Sequence, residues 1–175
     1  MTDKDHPRGF DIAELAYQLW QEGRLAEAAD RYAEAMPLLD QTHLTTAEFN
    51  GHFACVLAKL GRTDEARAQW ERCLAIELGQ DPEGQSSAVA VARYFLADHL
   101  LRSGDATAAR QAIALALSVS GPIQAIAHLI EAESLLQLGR RDPAEEAAAR
   151  AVEVCTDESH RERIRARVQD ILRPK

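Results

Sequence analysis

Four glycines, Gly23, Gly61, Gly104 and Gly139, each close a stretch of good helix formers, in the segments Leu-Trp-Gln-Glu-Gly-Arg, Ala-Lys-Leu-Gly-Arg, Leu-Arg-Ser-Gly-Asp and Leu-Gln-Leu-Gly-Arg. The residue seven before each glycine is Ala16, Ala54, Ala97 and Ala132, and the residue five after it is Ala28, Ala66, Ala109 and Ala144. Alanine fills about a fifth of the chain, so eight alanines in eight slots identify an internal repeat. Each glycine reads as a helix C-terminal cap, where a positive φ favours the residue without a Cβ. Four before each glycine stand Leu19, Leu57, Leu100 and Leu135; twelve after it stand Ala35, Cys73, Ala116 and Ala151. The repeat unit is therefore two antiparallel helices, A and B, joined by a short turn. The small residues let the axes approach, and the residue nine after the glycine (Tyr32, Trp70, Ile113, Ala148) fills the space between layers. Such a hairpin cannot bury its apolar stripe alone and must stack on neighbours.

These slots resemble the tetratricopeptide repeat family over residues 9–155, with the strongest copy at Phe53, Ala54, Leu57, Gly61, Ala66, Trp70 and Cys73. The resemblance implies an all-α, right-handed solenoid of four helical hairpins plus a C-terminal capping helix. The expected division is a flexible segment 1–8, repeats at 9–40, 47–79, 88–120 and 122–155, a linker at 80–87 and a capping helix at 157–172 in one continuous domain. Three departures from the family pattern are visible. The helix A slot often held by Trp contains Ile12, Asn50, Arg93 and His128, and no copy carries the Pro expected after helix B. The glycine spacings are 38, 43 and 35 residues, against roughly 34 for the regular unit, so helix B or the linker after it is longer in the first two units. Local signals agree with these boundaries: Thr45 and Glu48 have capping-box spacing, Asp142-Pro143 reads as an N-cap followed by Pro at the first helical position, and Ile164, Val168, Ile171 and Leu172 share one side of the last helix.

With 20 Lys plus Arg against 28 Asp plus Glu, the formal charge is −8, which argues against a nucleic-acid or anionic-membrane partner. The polar start leads straight into an amphipathic stretch, so no secretory signal is expected, and no apolar run reaches membrane-spanning length. The expected compartment is therefore the cytoplasm, and Cys55, Cys73 and Cys155, odd in number and widely separated, fit small buried residues in a reducing compartment. The excess of Arg over Lys, with so much Ala, points to a GC-rich bacterial genome.

No nucleophile elbow, Walker loop, dinucleotide fingerprint or zinc-helix motif occurs, so the chain is read as non-enzymatic, without cofactor or metal. His52 and Cys55 could share a helix face as two metal ligands, but spacing suggests no others. His128, in a packing slot, reads as a core histidine. The interleaved Arg161, Arg163, Arg165 and Arg167 read as a solvated face.

The family resemblance further implies that helix A residues line a concave groove. The partner-binding candidates are Phe10, Ala13, Tyr17, Trp20, Lys59, Val91, Tyr94, Leu101, Arg102, Ile126, Leu129 and Leu136, with Phe10, Tyr17, Trp20, Tyr94, Leu101 and Leu129 as apolar anchors. Lys59 and Arg102 would fix ligand direction, offset by Asp98 and Glu133. Four A helices about 10 Å apart would accommodate about nine extended residues, or one helix of about 20. The positions matching the family's chaperone-tail clamp are Ala13, Tyr17, His52, Val91 and Phe95, or one repeat along Gly51, Cys55, Phe95, Ile126 and Ile130; neither set can grip a carboxylate with cations. The expected function is an adaptor or chaperone-like protein holding an apolar or amphipathic segment of a protein partner. The alternatives are a secretion chaperone, a peptide-sensing regulator and a homodimer that buries the groove.

Overall fold

The computed structural model describes residues 6–173, and these are all-α. Four hairpins follow in order: α1 (His6–Gln21) with α2 (Leu25–Ala35), α3 (Leu44–Lys59) with α4 (Thr63–Gln80), α5 (Ser87–Arg102) with α6 (Ala106–Ile113), and α7 (Pro122–Gln137) with α8 (Arg141–Glu153); α9 (Glu158–Leu172) closes the series. The chain divides into two compact units, the first ending at Pro82 and the second beginning at Glu83. The first unit holds two hairpins; the second holds two hairpins and α9. Helix α1 starts at His6, inside the segment 1–8 read as flexible, and residues 1–5 lie outside the described residues.

Each turn is built the same way. Gly23, Gly61, Gly104 and Gly139 have φ of 78°, 74°, 90° and 71°. Their N–H groups donate to Trp20, Ala58, Leu101 and Leu136, and the following residues Arg24, Arg62, Asp105 and Arg140 donate to Leu19, Leu57, Leu100 and Leu135 at 2.8–2.9 Å. That paired pattern is the Schellman motif, and it satisfies carbonyls that the end of helix A leaves open. The recurring Leu whose carbonyl accepts the outer bond is explained by its side chain, which is buried in the core in all four copies. The next helix begins two residues after the glycine in all four copies. All eight repeat alanines are at 0 % exposure, so the hairpins close on them as the pattern requires.

In the first unit the core gathers Ala13, Ala16, Leu19, Tyr32, Phe53 and Leu57, with the Tyr32 and Phe53 rings stacked at 5.5 Å. In the second, Ile164 is 3 % exposed and packs with Ala125, Leu129, Ala151 and Cys155, while Val168 and Leu172 cover Ala132, Leu135 and Ala148. Helix α9 thus caps the apolar stripe of the last hairpin.

The extra length between glycines is spent in two ways. After Gly23, helix α2 ends early in a 3-10 turn at Met36–Leu38, carried by Pro37, and residues 39–43 form a loop. After Gly61, α4 runs for 18 residues. The second 3-10 segment, Ala114–Ser118, has no proline; Gln124 Nε2 donates to Leu117 O at 2.8 Å and Ser118 Oγ to Leu115 O at 3.1 Å, taking up its carbonyls. Two caps differ from the sequence reading. Helix α3 is capped by His43, whose Nδ1 accepts from Thr45 N at 3.2 Å, so Thr45 lies inside the helix. Helix α8 begins at Arg141, which makes Pro143 its third residue.

Candidate functional site

The four A helices expose comparable positions. Two residues before the glycine, Gln21, Lys59, Arg102 and Gln137 are exposed; six before it, Tyr17, Cys55, Asp98 and Glu133 are half-buried. Ten before it, three of four are buried: Ala13 and Leu129 at 0 %, and Gly51. Ala13, Gly51 and Leu129 therefore lie packed against neighbouring helices and cannot line an open groove, whereas Tyr94 at the same slot is half-buried. Leu101 is likewise at 3 % exposure. Ala13, Leu101 and Leu129 are therefore core rather than lining, a correction to the expected set. The physical reason is the coverage each receives: Ala13 from the first unit's core, Leu129 from Cys155 and Ile164, and Leu101 from α7, whose Gln137 Nε2 donates to Leu101 O at 3.4 Å. Phe10, Tyr17, Trp20, Tyr94, Ile126 and Leu136 are half-buried, and Val91 is exposed.

In the first unit these residues join a run of rings along the seam between α1 and α3. Phe10 meets Phe49 edge-on at 5.5 Å, Phe49 lies 6.4 Å from His52, and His52 lies 4.9 Å from Tyr17 and 5.3 Å from Trp20. Tyr17 and Trp20 touch at 5.9 Å, and the Lys59 ammonium sits 5.6 Å over the Trp20 ring. Lys59 is thus held by a cation–π contact while its head stays in water. Burial holds the His52 imidazole below its ordinary range, against the opposing pull of Glu48 and Glu14. His52 Nε2 is 3.9 Å from Glu48 Oε1, and its Nδ1 is buried with no hydrogen-bond partner among the described residues.

In the second unit, Tyr94, Asp98 and Arg102 lie along α5. The Arg102 guanidinium donates from Nε to Asp98 Oδ2 at 2.8 Å. Arg167 of α9 reaches Glu133 of α7 at 3.5 Å. Arg102 is thus engaged by a carboxylate on its own helix, and Arg167, exposed on the polar face of α9, also bridges α9 to α7. Burial pushes both Tyr94 and the Glu133 carboxyl up. A cleft of about 560 Å³ opens beside this pair, lined by Glu133, Leu136, Gln137, Arg141, Arg167, Asp170, Ile171 and Arg173. Its apolar floor is Leu136 and Ile171, and its rim is a set of exposed ion pairs, among them Arg141 with Glu145 at 2.8 Å and Arg173 with Asp170 at 3.1 Å.

Sequence reasoning missed His52 and Phe49 as parts of the ring seam, and the α9 residues of the cleft. The signal for His52 was present, because it stands three after Phe49 and four after Glu48 on one helix face. For α9 no signal existed, since nothing in a capping helix announces which neighbour its polar side will meet.

The remaining groups of chemical interest are structural. Burial pushes the Cys73 thiol up to about 12, and Cys155, also raised by burial, donates from Sγ to Ala151 O at 3.2 Å. His128 is buried with Nδ1 at 3.4 Å from Glu131 Oε2, a contact that holds the Glu131 carboxyl below its usual range. Among the described residues no group of three His, Cys, Asp or Glu side chains comes together to hold a metal, and no helix is long and apolar enough to cross a membrane.

No family model matches the chain, and no curated protein matches it. Solved structures do. Two are crystal structures, one of a point variant, of a kinesin light chain-like protein from Podosopora anserina with nearly identical TPR-like repeats. At 17% identity they match with TM-scores of 0.74 and 0.72, covering 88% and 99% of this chain and 78% and 82% of theirs. BtubC (BKLC) from P. vanneervenii matches with a TM-score of 0.74 at 19% identity, over 95% of this chain and 66% of its own.

Proposed function

We propose, for a chain that has the tetratricopeptide-like helical repeat fold, that it is a non-enzymatic interaction protein holding an apolar or amphipathic segment of a protein partner on the exposed flank of its A helices. The observation that carries this reading is the seam of the first unit. Tyr17 and Trp20 are neither core nor solvated; they stand half-buried, braced by His52, with a cation fixed over the indole. Aromatic rings held rigid at a half-open surface give contact area at little entropic cost, which is the character of an interface anchor. In the second unit, Tyr94, Leu136 and Ile171 offer a second apolar footing among ion pairs that exchange partners cheaply because they are exposed. Within the first unit Phe10 would extend the contact, with Lys59 at its edge; within the second, Val91 and Ile126 would do so, with Arg102 at the edge. The likeness to structures with TPR-like repeats supports the fold on which this reading is built.

The test is a panning of a random-peptide display library on the full chain at neutral pH. Apolar or amphipathic binders are expected, with affinity reduced at least about tenfold in Tyr17→Glu or Tyr94→Glu, while far-UV circular dichroism stays native. Binders whose affinity survives both substitutions would discard this reading.

A further inference from the structure

The seam between α1 and α3 holds a histidine whose inner ring nitrogen, Nδ1, is buried with no hydrogen-bond partner among the described residues. We propose that His52 is a proton-operated latch: with its ring neutral it holds Tyr17 and Trp20 closed against α3, and its protonation loosens that seam, so that acidification controls the aromatic face.

The geometry dictates the direction. His52 lies between the Tyr17 ring at 4.9 Å and the Trp20 ring at 5.3 Å, with Phe49 at 6.4 Å. Of its two nitrogens, Nε2 points towards Glu48 Oε1 at 3.9 Å, and Nδ1 is buried without a partner. The neutral tautomer that fits keeps its proton on Nε2, beside the carboxylate, and leaves a bare lone pair on Nδ1, a tolerable buried acceptor. Protonation must place the second proton on Nδ1. That makes a buried cationic N–H with no acceptor, the costliest kind of unsatisfied group. The charged groups around it do not cancel the cost. Glu48 on its own helix and Glu14 on α1 favour the cation, yet burial outweighs both. Lys59, from the end of α3, already occupies the Trp20 ring, so an imidazolium would bring a second positive charge against the same indole. The way to relieve Nδ1 is to part α1 from α3 and admit water.

The linkage sign follows. The closed seam binds the second proton less readily than the open one, so closure is fully favoured above the ordinary imidazole value of 6.5 and weakens as the pH falls below it. Each pK unit separating the open from the closed imidazole multiplies the open population by about tenfold once the pH lies well below both values.

The role of this latch in controlling a ligand rests on the function proposed above; the response of the seam to protons does not. The experiment is hydrogen–deuterium exchange on the full chain at pH 7.5 and 5.5, each rate corrected for the intrinsic pH dependence of amide exchange. Protection of α1 is expected to fall on acidification, while α7 amides keep theirs. In His52→Gln, and independently in His52→Phe, the acid-induced loss in α1 should vanish. A loss that persists in both variants, or no loss in the parent chain, overturns the latch. If His52→Gln abolishes the pH response while Tyr17→Glu and Tyr94→Glu both leave peptide affinity unchanged, the latch stands and the proposed function falls; the reverse pair of results removes the latch and keeps the function.

Discussion

The Tyr32 hydroxyl is the plainest anomaly at the scale of single residues. Its ring is fully buried and stacked on Phe53, yet its oxygen has no hydrogen-bond partner among the described residues, and burial pushes its ionisation well up. A buried hydroxyl without a partner has lost its water bonds and gained nothing. Tyr32→Phe is therefore expected to leave stability unchanged or raise it, by up to about 1 kcal/mol, read from the midpoint of urea unfolding. Two further orphans, Asn50 Oδ1 and Arg93 Nε, sit in the helix A slot that the family often fills with Trp. The substitution pattern was visible in the sequence, but not its consequence, because satisfaction depends on what the neighbouring side chains offer. The alanine slots were fully legible for the opposite reason. Alanine carries no rotamer and no polar atom, so its recurrence at fixed spacing has one physical meaning, close approach. Leu101 and Leu129 were not legible: leucine serves equally as core or as lining, and the covering neighbour decides.

At the scale of elements the four glycine turns are interchangeable parts. A Cβ built at Gly61 would meet no atom within 4 Å, so replacing it tests the backbone alone. Gly61→Ala should cost about 1 kcal/mol through its positive φ. The expected readout is a lower urea midpoint with an unchanged slope. Gly51 is the contrasting case, since its Cβ would come within 3.2 Å of the Trp70 ring. The last helix depends on its own start: Asp157 Oδ1 accepts from His160 N at 2.7 Å. Asp157→Ala should cost about 1 kcal/mol and speed amide exchange in the first turn of α9. Helix ends were read less well than helix bodies. Thr45 has the composition of a cap, but His43 takes the position because Asp40 O is already bonded by Thr46 Oγ1 at 2.7 Å, which fixes the path of the loop one turn earlier.

For the molecule as a whole the governing quantity is its charge. A formal −8 and a sequence pI near 5.2 mean that solubility should pass through a minimum close to pH 5.2, measurable as turbidity across a pH series. Most of the ion pairs among the described residues join residues three or four apart in sequence, several of them exposed along one helix, such as Arg67 with Glu71 and Arg141 with Glu145. Pairs of that kind add little stability each. The architecture rests instead on apolar contact within each of the two units, and that contact was written into the chain by spacing. Helix count, hairpin pairing, turn chemistry and the buried alanines all follow from periodicity, because a helix presents the same face every few residues wherever it lies. Which half-exposed residues become a site is a different kind of fact. The ring seam around His52 and the bridge from Arg167 to Glu133 each need side chains from separate helices to meet, and only packing in three dimensions sets those distances and removes the water between them.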